Sequence, residues 1–545
     1  MNASLMNFLR RTGRLKYLFL GLTGAAASAG AYCVINDVPL FGVARMGFTA
    51  ATVACVFADY KVTLYGVDPT TDRYRELKSK HYRKNIACLM DSFLISHAKI
   101  IISLCCNSTR KVHVRAATRL RNLCCLHGGV YIKAGQHIGA LDYLLPDEYV
   151  QTMKVLHDDA PKSKLADVLK VIEEDFGKPA HEIFQYIEDK PIGAASLAQV
   201  HRCILHDGTT VAVKVQHRNV KAYSDTDVRC MEFLCNVAAR LFPEFKFDWL
   251  IEETKKNLPK ELDFIQEGHN ADNVAKMFKH FSFLKIPKIY WNWSTDRVLT
   301  MELCFGDRID NLEYLQNSKI NVDEVSQMLG KLYSEMIFVK GYIHCDPHPG
   351  NLLVCKNDTT NKTEIVLLDH GLYQKLTDDF RISYCRLWQS LIEADLDAVK
   401  KYCAELRAGE MYPLLACIIS GRSWNSIKSG ISNKPIDKAE MDEIAGTASQ
   451  LLPGITELLQ RIPRQMLLIL KTNDLLKGIE STLKSKNNKQ SLITMSKSCI
   501  RAIANYDLKN SSSVMSKIKI WINFIILRLK LQLYGISDKA NCNLS

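Results

Sequence analysis

Acidic residues are missing from the start of the chain: none precedes Asp37. In their place Arg10, Arg11, Arg14 and Lys16 are set among Leu5, Met6, Phe8, Leu9 and Leu15 with nearby serines, the make-up of an Arg-rich mitochondrial presequence, with a secretory signal as the competing reading. Cys-x-x-Cys pairs are absent although there are 18 cysteines, which argues against zinc ribbons and disulfide frameworks and for buried small side chains in a reduced compartment. There is no internal repeat. Nor is there an RNA-binding signature or a basic stripe interleaved with stacking aromatics, so the net charge of +13 points to anionic lipid and not to nucleic acid. With 47% hydrophobic and 24% charged residues, the 545-residue chain is a folded protein with room for two or three domains.

What is present is a sentence in phosphoryl-transfer chemistry. His344-Cys-Asp346-Pro-His348-Pro-Gly-Asn351 sets an acid and an amide five positions apart on a Pro- and Gly-bent loop, and the apolar run Ile365-Val-Leu-Leu brings a second acid, Asp369, before His370-Gly371. One carboxylate can take a proton, while an amide and a carboxylate offer the hard oxygens that Mg2+ binds together with water. Upstream, Val211-Ala-Val-Lys214-Val215 follows the hairpin signal His206-Asp207-Gly208 and reads as a β-branched strand presenting a cation to phosphates. Gly193-Ala194-Ala195-Ser196-Leu197-Ala198-Gln199-Val200 has the spacing of a glycine-rich phosphate loop with alanine at the second and third glycine positions; each added methyl keeps the backbone farther from phosphate.

A lysine at such depth wants a carboxylate. The acidic stretch Glu252 to Asn273 is predicted as one helix carrying Glu261, Asp263 and Glu267. Glu261 and Glu267 then lie roughly 240° apart around it, which implies two different roles. Val298-Leu-Thr-Met301-Glu302-Leu303-Cys304, ending near Gly306, reads as a strand entering a hinge whose main-chain groups can hold adenine. Val322 to Val339 is predicted as a core-facing helix stopping near Gly341. After Asp369 there is no long activation segment closing in Ala-Pro-Glu. Tyr373 to Phe380 leads directly into a helix with Thr377 as its N-cap and Phe380, Tyr384, Leu387, Trp388 and Leu391 at helical spacing, leaving no platform for a peptide. The expected substrate is small or lipid-like, or the nucleotide itself.

Lys133-Ala-Gly135-Gln136, the Ala-rich loop, Glu261-Leu-Asp263 with Glu267 four residues beyond Asp263, and His344 to Asn351 together resemble the UbiB/ABC1 (aarF-domain-containing) atypical kinases over about Leu123 to Gly430. The resemblance implies an α+β, two-lobed protein-kinase-like fold with an added N-terminal helical extension and a helical C-terminal tail. It makes Lys214 the phosphate-contacting lysine, Glu267 its ion-pair partner, Asp346 the proton acceptor, and Asn351 and Asp369 the ligands of Mg2+. Ile192, Gly193, Ala194, Ala195, Ser196, Ala198, Val200, Lys214, Glu302 and Cys304 would line the site for ATP or ADP. Lys133 and Gln136, on a helix reaching over the site, would face Glu261 and Asp263. His370 replaces the Phe that follows the metal-binding acid in most kinases, and is polar and titratable.

Tyr17 to Ile35 is an uncharged run near the length of about 20 residues that spans a bilayer, and Met515 to Leu533 reads as an interfacial helix, with a core helix as the alternative. The expected organisation is a targeting and membrane segment over 1–60, a helical extension over 61–190, a kinase-like N-lobe over 191–305, a C-lobe over 306–430 and a helical tail over 431–545. The polar stretch Lys484 to Gln490 is predicted as a loop inside that tail. The expected function is a mitochondrial, inner-membrane-associated kinase or ATPase in lipid and ubiquinone homeostasis and cristae organisation, with adenine nucleotide, membrane lipid and membrane proteins as partners. The alternative is a nucleotide-responsive scaffold whose catalysis is dispensable.

Overall fold

The computed structural model describes residues 40–63, 96–139, 146–158, 161–241, 248–357, 359–428, 440, 454, 457–459, 461–484 and 488–542. The candidate presequence and the apolar run Tyr17 to Ile35 lie outside them. Among the described residues no helix is long and apolar enough to cross a membrane. The chain forms two compact units, one reaching to Ile265 and resuming over Ile289–Leu303, the other made of Gln266–Lys288 and Cys304 onward.

The first unit joins a helical part to an antiparallel sheet. Helices α1 (Leu40–Thr63), α2 (Ser96–His127), α3 (Gly129–Gly139) and α4 (Asp147–Asp158) pack together, and α5 (Leu165–Phe176) lies against the sheet. The strands are β1 (Tyr186–Ile187), β2 (Gly193–Ala194), β3 (Ala198–Ile204) and β4 (Thr210–Gln216). After an excursion into the second unit through β5 (Leu284–Lys285), β6 (Val298–Glu302) completes them. Spatial order is β1-β3-β4-β6 with β2 beside β3. The β3–β4 hairpin closes at Gly208, whose φ of 83° is left-handed backbone. In β4, Val211, Val213 and Val215 are buried with Val168, Val171 and Ile172 of α5, each such side chain contributing about 1.5–3 kcal/mol of burial. The alternation leaves Lys214 on the opposite face, paired with Leu299 of β6 and Val200 of β3.

The predicted single helix over Glu252 to Asn273 is corrected. It is two helices, α7 (Asp248–Glu261) and α8 (Phe264–Met277), following α6 (Val220–Leu241). Pro259 sits near the end of α7, the ladder tightens to Asp263 N–Lys260 O at 3.3 Å, and Phe264 N turns away to Asp296 O at 3.1 Å.

The second unit carries β7 (Asp307–Arg308), β8 (Tyr342–His344), β9 (Leu352–Lys356), β10 (Thr363–Leu367) and β11 (Tyr373–Lys375), in sheets ordered β5-β10-β9-β7 and β11-β8. Helix α9 (Val322–Ser334) continues as a π-helical turn over Glu335–Lys340 and stops at Gly341, whose φ of 61° suits a glycine terminator. Helix α10 (Asp378–Glu393) follows β11, with Thr377 at the N-cap position in extended conformation. The Thr377 hydroxyl makes no cap bond, a difference from the expectation; its N–H donates to Gln465 Oε1 instead. Phe380, Tyr384, Leu387, Trp388 and Leu391 are buried as predicted.

After α11 (Leu396–Glu405) and α12 (Tyr412–Ser420) come the tail helices α13 (Arg464–Leu483), α14 (Asn488–Asn510) and α15 (Val514–Cys542). They are not an appendage. Met466, Ile469 and Cys499 share one apolar core with Ile343 of β8 and with Tyr384 and Leu387 of α10. The predicted loop over Lys484 to Gln490 is corrected at its end, where Asn488 to Gln490 open α14, while residues 485–487 are not described. Lys484, with φ 49°, ends α13 beside them.

Candidate active site

In the second unit, β8 delivers the chain into a loop that its own hydrogen bonds hold rigid. His348 N donates to Asp346 O at 2.8 Å, Asn351 N to His348 O at 2.8 Å, and Gly350 N to His348 Nδ1 at 3.2 Å. Asn351 Nδ2 donates to Asp346 O at 3.0 Å, which turns the amide so that Oδ1 is its atom suited to a cation. Antiparallel register pairs Leu352 of β9 with Leu367 of β10, and Leu368 N reaches Asn351 O at 3.0 Å. Asp369 therefore follows immediately beside Asn351. Its Oδ1 accepts from Gly371 N at 2.9 Å, a local turn that fixes the carboxylate.

The residues around Asp369 were less legible. His370 is buried, its Nε2 donating to Leu367 O and its Nδ1 accepting from Tyr373 OH, both at 3.0 Å. The ring is thus a fully bonded packing element stacked on Tyr373, in the place of an apolar peg. Glu267, on α8, is buried, and its Oε1 accepts from His370 N at 3.4 Å. Asn270, one turn on, donates to His370 O at 2.9 Å and accepts from Tyr342 OH at 2.8 Å. His344 is buried completely, with Nδ1 at 2.9 Å from Tyr333 OH. Burial pushes its pKa below the ordinary histidine value although Asp369 and Asp346 pull the other way, so the ring is neutral.

One site residue escaped sequence reasoning. Lys471 of α13 places Nζ 3.4 Å from Asp346 Oδ1. The available signal was a lone cation ending the apolar run Met466-Leu-Leu-Ile-Leu470, which pattern reading assigns to a solvated face.

In the first unit, Lys214 holds Nζ 5.1 Å from the centroid of the Phe264 ring, a cation–π approach. The Ala-rich segment runs from exposed Ile192 and Gly193 through a tight turn, Ala195 N to Ala198 O at 2.8 Å, into Val200 of β3. Gly193 has an ordinary φ and open space around it, so glycine is not demanded there. The tip is fastened down: Leu197 is buried with Val130, Leu258 and Leu262, and His217 Nε2 donates to Ala195 O at 3.0 Å. His217 Nδ1 meets Ser163 Oγ at 2.8 Å, and Ser196 and Ala198 are buried beside Ala194, which is half-buried. Glu302 ends β6 opposite Val211, and Cys304 follows it, both half-buried.

Lys133 on α3 forms an ion pair with Glu261 at 2.7 Å, both side chains largely buried. Gly135 acts elsewhere, letting α3 approach α4 closely. A Cβ there would come within 2.4 Å of Leu156 Cδ1, and Leu156 is itself buried. Gln136 does not face Glu261: its Nε2 donates to Leu156 O at 3.0 Å and its carbonyl lies 3.1 Å from His157 Nε2, so it locks α3 to α4. Asp263, beyond the end of α7, is exposed. The Lys-x-Gly-Gln signature is therefore half ion pair, half helix clamp.

An antiparallel sheet presenting a lysine and a helix-rich unit carrying an Asp–Asn–Asp loop pair are the parts of a protein-kinase-like fold, α+β, here with a helical extension before it and a helical tail after it. Residues 155–403 match the ABC1 atypical kinase-like domain. The chain is 48% identical to AarF domain-containing protein kinase 1 of Mus musculus over 91% of its own length and 89% of that protein's. It is 48% identical to the protein of the same name in Gallus gallus over 94% and 93%, and 44% identical to AarF domain-containing kinase 1 of Drosophila melanogaster over 97% and 95%. The chain belongs to the ABC1 (AarF-domain) family of atypical kinase-like proteins.

Proposed function

We propose that this protein is a mitochondrial, inner-membrane-associated kinase or ATPase that binds ATP or ADP with Mg2+ and acts on a small or lipid-like substrate, in lipid and ubiquinone homeostasis and cristae organisation. The observation that carries the nucleotide reading is the register of β9 on β10, which sets Asn351 beside Asp369 and ties Asn351 back to Asp346. One carboxylate and one amide oxygen suit a cation that completes its shell with water and phosphate oxygens, as Mg2+ does. Bound there, the cation would neutralise phosphate charge. Asn351 and Asp369 would hold it, Lys214 would contact the α/β-phosphates, and main-chain groups from Glu302 to Cys304 would receive adenine. Asp346 would accept the proton of the attacking hydroxyl, and Glu267 would pair with Lys214. β11 passes into α10 with no segment on which a peptide could lie, which supports the small-substrate reading. The acid-free, Arg-rich N-terminus and the net positive charge support mitochondrial membranes as the location.

Purified protein carrying Asp369→Asn is expected to lose Mg2+-dependent nucleotide binding, and Asp346→Asn to keep binding and lose phosphate release. Full binding in the Asp369 variant removes the site.

A second reading, a nucleotide-responsive scaffold regulating mitochondrial membrane proteins, is favoured by the Ala-rich turn, which a hydrogen bond from His217 and the burial of Leu197 tie down. Rescue of null cells by Asp346→Asn would decide for it.

A further inference from the structure

Helix α15 turns two faces outward and inward in an order set by its sequence. Ser516, Ile520, Phe524 and Leu527 are partly buried, and the helix packs on α14. On the other side Ile518, Trp521, Ile522, Ile525, Ile526 and Leu529 are all exposed, Trp521 by 57% and Leu529 by 52%. At 100° per residue these six fall in one arc of roughly 140° with no polar side chain inside it. Apolar exposure of this extent on one helix face marks an interaction surface.

The borders of the arc say what covers it. Lys517 and Arg528 lie along one edge and Lys519 along the other, all exposed, and no acidic residue occurs between Asp507 and Asp538. Long cationic side chains flanking an apolar stripe can bury their stems while their charges reach outward to phosphates. A second copy of the chain meets the stripe badly, because cations on both edges would face cations. The apolar run Tyr17 to Ile35 of the same chain is no better matched, being preceded by Arg10, Arg11, Arg14 and Lys16.

We infer that α15 is a lipid-docking face, which rests the second unit on an anionic bilayer surface with Trp521 and Ile525 in the acyl boundary and Lys517, Lys519 and Arg528 at the headgroup phosphates. This deepens the membrane association proposed above and is independent of nucleotide chemistry.

The experiment is flotation of the full chain with vesicles of phosphatidylcholine doped with phosphatidylserine and with phosphatidylcholine alone. Wild type is expected to float with the doped vesicles and to be released by salt. Trp521→Glu/Ile525→Glu should weaken that binding by about tenfold or more, and Lys517→Gln/Lys519→Gln/Arg528→Gln should lower the preference for anionic vesicles by about fivefold per charge removed. Leu126→Glu, at an exposed apolar residue of α2, should leave binding unchanged, and the thermal midpoint and nucleotide binding of all variants should match wild type. A benzoylphenylalanine placed at position 522 should crosslink to phospholipid. Flotation of the double-glutamate variant as wild type, absence of flotation by wild type, or a crosslink to a second copy or to the chain's own N-terminal segment would each overturn the inference. A loss of nucleotide binding with vesicle binding intact would count against the nucleotide reading alone.

Discussion

Lys471 Nζ stands 3.4 Å from Asp346 Oδ1, joining two residues 125 positions apart. The side chains are 29% and 28% exposed, so solvent screens the pair and it contributes less than about 1 kcal/mol to stability. Its consequence lies in chemistry: a positive charge beside the Asp346–Asn351 loop, where the proposed function has phosphate charge develop. Lys471→Met is expected to reduce phosphate release by about a hundredfold while nucleotide affinity moves by less than about threefold. Lys471→Arg should recover part of the rate. Isothermal titration beside a phosphate-release assay checks both, and an unaltered rate in the methionine variant removes Lys471 from the site.

The Lys133–Glu261 pair is more sheltered, with side chains 15% and 10% exposed. Breaking it from one side strands a charge away from water. Lys133→Met and Glu261→Gln should each cost about 2–3 kcal/mol, and the double variant clearly less than their sum. Urea midpoints of the four proteins form the cycle; strict additivity would mean that the pair contributes nothing.

Two glycines of the candidate nucleotide region should answer alanine in opposite ways. Gly306 has φ 144°, and a Cβ on it would meet Val354 O at 2.8 Å, so Gly306→Ala should cost about 2 kcal/mol or more. Gly193 has room and an ordinary φ, and Gly193→Ala should change stability by less than about 0.5 kcal/mol. Thermal melts of the two variants side by side make the comparison.

Acid should loosen the first unit in two separate windows. Burial, aided by the Arg45 guanidinium, lowers His127 to about 4, so the folded state resists a proton that the unfolded chain takes up near 6.5. Stability is then complete above pH 6.5 and declines as pH falls toward 4, by no more than about 1 kcal/mol after solvent screening of the half-buried ring. Asp59 behaves otherwise. Its hydrogen bond to Arg115, with Arg119 beside it, lowers it to about 2, so its contribution persists until pH drops below the usual carboxylate value of 3.8. Burial also lowers His113 and His217 of the same unit, so unfolding followed from neutral to mildly acidic pH should show a decline that His127→Gln reduces without abolishing.

Where local pattern suffices, the fold was legible in the residues. The valines around Lys214, the Asp207-Gly208 turn, the strand before Asp369 and the apolar stripe of α10 each follow from periodicity or turn chemistry. Pro259 also carried the break between α7 and α8, but the acidic run around it read as continuous helix. The long-range partnerships had no local signature: Gln136 with the Leu156 carbonyl, His370 with Tyr373 and Leu367, and Lys471 with Asp346 depend on which segments meet in space. His370 illustrates the gap best, since a lone polar residue at an apolar position becomes intelligible only once both ring nitrogens have found partners.

Arg501 of α14 pairs with Glu335, the buried acid that opens the π-helical turn before the Asp346–Asn351 loop. Together with Lys471, it means that the last helices complete the electrostatics of residues more than a hundred positions upstream. The matched kinase-like range, 155–403, consequently ends short of residues that share its apolar core. Trimmed at that border it would expose the greasy flank of α10 and leave the Glu335 carboxylate indoors without its Arg501 partner.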